Sequence, residues 1–267
     1  MIHAENSTID CVDAGAGPAL LFLPGSYSTP AAWRPMQRLL PAGYRQVGTS
    51  LLGYGGSSET RTAEDTGIAH EVRLVETLAR QVGEPLHLVG HSYGATVALA
   101  AAIAGRVQVA SLALFEAGPL ALMREQGHED LYQAMLRMSL DFASAVAQGE
   151  RDAPRRIIDY WGGDGSFAAM PDAVQGYCWQ TAASNVLDWR SVFGFGVTLA
   201  DLGRLRMPVL LVRGANANPA MLALTDALRS GIAHARCQVV AGAGHFLISS
   251  HPAECAGVLS SFLAEVA

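Results

Sequence analysis

Lysine is missing from this chain: all 18 of its basic residues are arginine. That excludes Schiff-base lysine chemistry, and with it lysine-bound pyridoxal phosphate and class-I aldol cleavage. It also excludes a P-loop, whose GK[ST] lysine reaches the phosphates. Charge is sparse as well, at 16% of the 267 residues, against roughly 25% in ordinary soluble domains. The formal net charge is −6 and no basic run occurs, so nucleic acid is excluded as a partner. Cys11, Cys178, Cys237 and Cys255 are scattered without a CxxC pair, and read as reduced thiols rather than a metal site or a disulfide framework. The apolar stretch from Ala95 to Gly105 falls short of the roughly 20 residues that span a bilayer. Met1 to Asp10 is polar and lacks a signal-peptide pattern. These absences lead to the expectation of a cytoplasmic protein with no membrane contact, no metal and no cofactor. They leave the oligomeric state open.

What the chain does have is apolar residues, half of the total, enough for a large core. They fall in short continuous runs: Ala19–Pro24, Leu86–Gly90, Val107–Phe115, Val209–Arg213 and, more weakly, Ala235–Val240. Runs of this kind suit parallel strands buried on both faces. Helical patterns lie between them. Thr62–Val82 carries an apolar stripe, and Pro219–Ile232 and Pro252–Val266 each open on the proline that suits a first helical turn. Alternating strands and helices predict an α/β, doubly wound, mostly parallel sheet. Residues 118–199 break the rhythm with helical patterns such as Glu129–Ala147 and many aromatics, Trp161 and Trp189 among them. They are expected to form an inserted helical cap on a core made of 1–117 and 200–267.

Gly90-His91-Ser92-Tyr93-Gly94 reads G-x-S-x-G between a predicted strand and a predicted helix. That context is what a nucleophile elbow requires. Glycines on both sides let helix and strand approach, and Ser92 is exposed above the C-terminal edge of the sheet. A serine needs a base, and His245, in the glycine-flanked Gly242-Ala243-Gly244-His245 loop, is the candidate. The backbone N–H of Tyr93, at the helix start, and that of Ser26, in Pro24-Gly25-Ser26 after the first apolar run, are the candidate oxyanion donors.

With these motifs the sequence resembles the α/β-hydrolase fold family. LPGSYSTPAAW, LLGYGGSS, LVGHSYGATVAL, MPVLLVRG and GAGHFLISSHP occur in that family's order. The resemblance implies a serine hydrolase with Ser92 as nucleophile, His245 as base and a helical cap that shapes substrate choice. Three departures stand out. The loop that usually reads His-Gly reads Pro24-Gly25, so a histidine that often braces the oxyanion loop is missing. Ser50 stands where an Asp often precedes Gly53-Tyr54-Gly55. The loop after Val209–Arg213, which usually holds the triad acid, reads Gly214-Ala215-Asn216-Ala217-Asn218 and has no carboxylate. Some family members place the acid one strand earlier, where Glu116 follows Leu112–Phe115. Glu116 is therefore the expected third member, with Asn216 or Asn218 as a neutral alternative. The expected substrate is a small or medium apolar ester or lactone. C–C bond hydrolysis and perhydrolysis remain alternatives on the same site, and a ligand-binding protein without catalysis is the alternative from another class. Haloalkane dehalogenation is disfavoured, because the elbow carries serine rather than aspartate.

Overall fold

The computed structural model describes residues 1–4, 7–83 and 85–266, with Ala4 described by its backbone alone. The strands are β1 (Ile2–Ala4), β2 (Ser7–Ile9), β3 (Cys11–Ala14), β4 (Ala19–Leu23), β5 (Arg45–Thr49), β6 (Leu86–His91), β7 (Val109–Phe115), β8 (Val209–Gly214) and β9 (Arg236–Val240). β1 and β2 form a small separate ladder, and the other seven make one sheet in the order β3-β5-β4-β6-β7-β8-β9. β3 runs antiparallel to β5, and every other pairing in this sheet is parallel. This is the expected doubly wound sheet.

The continuous apolar runs follow from burial on two faces. Leu21 and Leu23 of β4 pack into one core layer, while Leu20 and Phe22 pack into the other. The same alternation holds in β7, where Leu112 and Leu114 face one way and Ala113 and Phe115 the other. Helices Ala69–Val82, Tyr93–Ala104 and Pro219–Gly231 cover the first face, and Pro252–Val266 with the turn at Pro30–Trp33 covers the second. Helix Tyr93–Ala104 has ten of its twelve residues buried, which explains why it is apolar all round.

Some expectations need correction. β3 and β5 were not anticipated: Arg45-Gln46-Val47-Gly48-Thr49 is too polar to read as a buried run, and its partner β3 is largely exposed. The helix expected from Thr62 starts at Ala69. The hydroxyl of Thr62 accepts the backbone N–H groups of Glu64 and Asp65, and this local side-chain capture holds the segment in a turn. Before the Gly53 turn, the Ser50 hydroxyl donates to Asp10 at 2.7 Å, so a carboxylate is supplied there from a distant part of the chain.

Between β7 and β8 the chain forms helices Ala121–Glu125, Glu129–Ala147, Arg155–Gly162, Asp172–Gln180 and Ala182–Gly194, with no strand among the described residues. The boundary expected at residue 199 falls at the start of a short helix, Leu199–Leu202, capped by Thr198.

The sheet positions the site. β4 lies between β5 and β6, so the chain goes one way from β4 and later returns to its other side. Crevices open at the C-terminal ends of strands at such a switch point. The loop after β4 carries Gly25 and Ser26, and the turn after β6 carries Ser92.

Candidate active site

Ser92 has φ 53° and ψ −122°, a strained conformation for a residue with a side chain. Its glycine flanks are sterically required. A Cβ on Gly94 would meet the carbonyl oxygens of Leu23 and Pro24 at 2.3 Å, and one on Gly90 would meet the Ala95 backbone at 2.5 Å. Among the described residues, the non-glycine positions with positive φ are Tyr27, Ser92 and Glu116. All three line one pocket. Strain stored in this way clusters at functional sites.

Three side chains from three separate loops meet there. His245 Nε2 is 3.0 Å from Ser92 Oγ, and His245 Nδ1 is 2.7 Å from Glu116 Oε2. A carboxylate accepts, so Nδ1 carries the proton and Nε2 is free to accept the serine hydroxyl proton. Glu116 Oε1 accepts the Gly214 N–H at 2.7 Å. The end of β8, whose following loop has no carboxylate, therefore contributes a backbone donor to the carboxylate that follows β7. Asn216 and Asn218 are engaged elsewhere. The Asn216 amide donates to the Gly242 carbonyl, while Asn218 caps helix Pro219–Gly231 and donates to the Tyr160 carbonyl.

The electrostatics match the geometry. Burial alone would push the Glu116 carboxyl up. The hydrogen bond and charge of His245, with the Gly214 N–H, outweigh it and hold Glu116 below the usual carboxylate range. His91 is driven by burial and by the neighbouring His245 down to about 4. As a neutral imidazole it donates Nε2–H to the His245 carbonyl at 2.8 Å, pinning the loop that carries the base. Trp161 stacks on the His245 ring at 4.7 Å between centroids and 24° between planes.

The oxyanion candidates also lie at the pocket. Gly25 leaves room for the nucleophile, since a Cβ there would sit 3.2 Å from both Ser92 Cβ and His91 Nδ1. Ser26 and Tyr93 line the same space. Tyr93 is the first residue of its helix, so its N–H has no intrahelical partner.

Leu120, Met135, Ile157, Ile158, Trp161, Trp189, Val192, Met221 and Phe246 form the apolar part of the wall. The cavity is partly open to solvent. Among the described residues no arginine lines it. Among the described residues no cluster of His, Cys, Asp or Glu is suited to a metal ion, and no helix is long and apolar enough to cross a membrane.

One feature of the site escaped the sequence reading. Asp188, on helix Ala182–Gly194, lines the pocket and is buried with Arg61 beneath it. Arg61 stands alone in a polar turn and Asp188 sits among the aromatics of the insertion. Only the fold brings together two residues 127 apart.

Comparison with known proteins agrees with this architecture. The profile of the alpha/beta hydrolase family matches residues 20–258. A fluoroacetate dehalogenase from a Burkholderia species is 28% identical over 99% of this chain and 93% of its own length. A 2-hydroxymuconate semialdehyde hydrolase from Pseudomonas sp. (strain CF600) is 26% identical, covering 95% of this chain and 89% of that protein. The crystal structure of an alpha/beta hydrolase from Nostoc sp PCC 7120 superposes with a TM-score of 0.80 at 23% identity, over 98% of this chain and 96% of that one. The sheet, the elbow after β6 and the family match agree, and the chain belongs to the alpha/beta hydrolase family and is a hydrolase.

Proposed function

We propose that the protein is a serine hydrolase of uncharged, apolar esters or lactones of small or medium size. The observation that carries this reading is the hydrogen-bonded chain Glu116–His245–Ser92, which opens on an apolar pocket. Ser92 Oγ attacks the acyl carbonyl carbon while its proton passes to His245 Nε2. Glu116 holds the resulting imidazolium. The carbonyl oxygen becomes an oxyanion held by the N–H groups of Ser26 and Tyr93. Collapse breaks the bond to the leaving alcohol, which takes the proton from His245. Water, deprotonated by the same histidine, then cleaves the acyl-enzyme to the carboxylic acid and free Ser92. Residues 118–199 act as the cap that supplies the apolar wall.

The chemistry of the relatives narrows the choice. Displacing a halide with a serine would leave an alkyl ether, which water does not hydrolyse. Dehalogenation therefore does not carry over to an elbow with Ser92. Fluoroacetate and 2-hydroxymuconate semialdehyde both carry a carboxylate, and the pocket here offers no arginine among the described residues to receive one. Burying an unpaired carboxylate in such a wall is costly, which favours neutral substrates.

The test is a fluorophosphonate probe followed by matched substrates. Ser92 is expected to be labelled in the folded protein, and Ser92→Ala to abolish both labelling and turnover. A neutral ester is expected to be hydrolysed faster than its analogue with a carboxylate in the acyl chain. An unlabelled Ser92 favours a ligand-binding protein. Faster cleavage of a carboxylate-bearing diketone favours C–C hydrolysis.

A further inference from the structure

We propose that the buried Arg61–Asp188 ion pair is a positioning strut for the oxyanion hole, through which the helical insertion holds the Ser26 loop in register with the nucleophile. The inference rests on the proposed roles of the Ser26 and Tyr93 N–H groups.

The two residues belong to different parts of the chain, but both reach the side chains of the two oxyanion donors. Arg61 Nη1 donates to Asp188 Oδ1 at 2.8 Å and to the Tyr93 hydroxyl at 3.0 Å. The second oxygen of Asp188 accepts the Ser26 hydroxyl at 2.5 Å and the Tyr54 hydroxyl at 2.6 Å. One ion pair thus grips the side chains of both residues whose backbones are to hold the oxyanion. Its members are 0% and 3% exposed, so solvent screens the ion pair little.

The Ser26 loop needs such a brace. Gly25 has no side chain, and the residue after Ser26, Tyr27, has φ 60°. The Ser26 hydroxyl is the loop's charge-assisted tether, and it ends on a residue of the insertion. Such bonds are short and about twice as strong as neutral ones. Oxyanion stabilisation depends on donor placement, and an error of about 1 Å can cost a hundredfold in rate. Seating the insertion and aligning the hole therefore become one event. An insertion that swings away takes Asp188 with it, releases Ser26, and leaves the hole misaligned.

The test uses two variants of the intact chain. Ser26→Ala removes the tether but keeps the backbone N–H. Asp188→Asn removes the charge, leaving Arg61 paired with Glu59 at 2.7 Å. Each is expected to lower kcat for a neutral ester by about ten- to a hundredfold, with KM within about twofold. The Kd of a trifluoromethyl ketone, whose adduct carries an oxyanion, is expected to rise by the same factor as kcat falls. The double variant is expected to be no slower than Asp188→Asn alone, because both changes cut the same tether. Wild-type kcat and inhibitor affinity in Ser26→Ala overturn the strut, even if Asp188→Asn does not fold. Failure of the underlying reading looks different: the wild-type protein itself is then not labelled at Ser92 by the fluorophosphonate.

Discussion

Glu116 and Asp188 are both buried carboxylates at the edge of one pocket, yet their surroundings move them in opposite directions. Glu116, at the sheet edge, meets the single histidine His245 and the Gly214 N–H, and these overcome burial to hold it below the usual range. Asp188, under the insertion, is raised: burial outweighs Arg61 and the hydroxyls of Ser26 and Tyr54. The difference is one of sharing. Glu116 has its histidine to itself, whereas Arg61 is divided between Asp188 and Glu59. Such a crowded cluster is suited to fixing geometry, and an unshared pair is suited to stabilising a charge that appears and disappears during turnover.

The comparison breaks most easily at Glu116. Glu116→Gln is expected to lower kcat by about 10³–10⁴, the scale of a wrong histidine tautomer in a serine triad, with little change in Tm. Steady-state kinetics and a melting curve check it, and activity near wild type would remove Glu116 from the mechanism. Asp188→Ala is expected to show the opposite profile, with a large loss of stability. It removes the acceptor of the buried Tyr54 hydroxyl and the part-buried Ser26 hydroxyl, and one side of a buried ion pair, on the scale of about 3–5 kcal/mol. Urea unfolding measures it. A loss below about 1 kcal/mol would show that Glu59 satisfies Arg61 unaided.

The two regions were also unequally legible in the sequence. The Glu116 side is built from local signals: a G-x-S-x-G turn after an apolar strand, a glycine-flanked histidine, and a carboxylate ending an apolar run. The serine and the carboxylate are readable because the strand before each is buried through most of its length, and the histidine because glycines flank it. The Gly214 N–H that completes the acid site was not readable, since a backbone donor has no residue signature. The Asp188 cluster left no trace. Arg61 looks like any polar turn residue, and 127 positions separate it from its partner. Edge strand β3 and its neighbour β5 lack that signal, because β3 is largely exposed and the polar Arg45–Thr49 segment has no continuous apolar run. The aromatics of the insertion were visible as a group, but only the fold shows Trp161 stacked on His245.

Glu71 sharpens the account of the crowded region. It is fully buried, and burial, with Asp188 and Glu59 beside it, pushes its carboxyl up to about 8 against the pull of Arg61. The cluster therefore keeps its proton on Glu71 at neutral pH. Below the ordinary value of 4.5 the folded and unfolded chains are both protonated there, so this contribution is fully present. Between 4.5 and about 8 the unfolded chain releases a proton that the folded one keeps, and stability falls by about 1.4 kcal/mol per pH unit. Above that window the loss is complete and the profile flattens. Glu71→Gln is expected to remove this slope. Unfolding free energies at a mildly acidic and a mildly alkaline pH check it: the wild type is expected to lose more than the variant. Parallel profiles would place the proton elsewhere in the cluster.

Asn218 tests the other side of the comparison, because it is the neutral alternative to Glu116. Its carbonyl oxygen accepts the Met221 N–H at 3.0 Å, and its amide reaches the Tyr160 carbonyl at 3.1 Å. Both ends of the side chain are thus occupied, one in starting helix Pro219–Gly231 and one in tying it to the insertion. Asn218→Ala is expected to cost about 1 kcal/mol, the worth of a helix N-cap. A change in kcat much smaller than that of Glu116→Gln is expected with it, since His245 Nδ1 keeps its bond to Glu116. A collapse of kcat in Asn218→Ala, with Glu116→Gln still active, would transfer the orienting role to the asparagine. The contrast between the two carboxylates would then be one of surroundings alone, because neither would act in turnover.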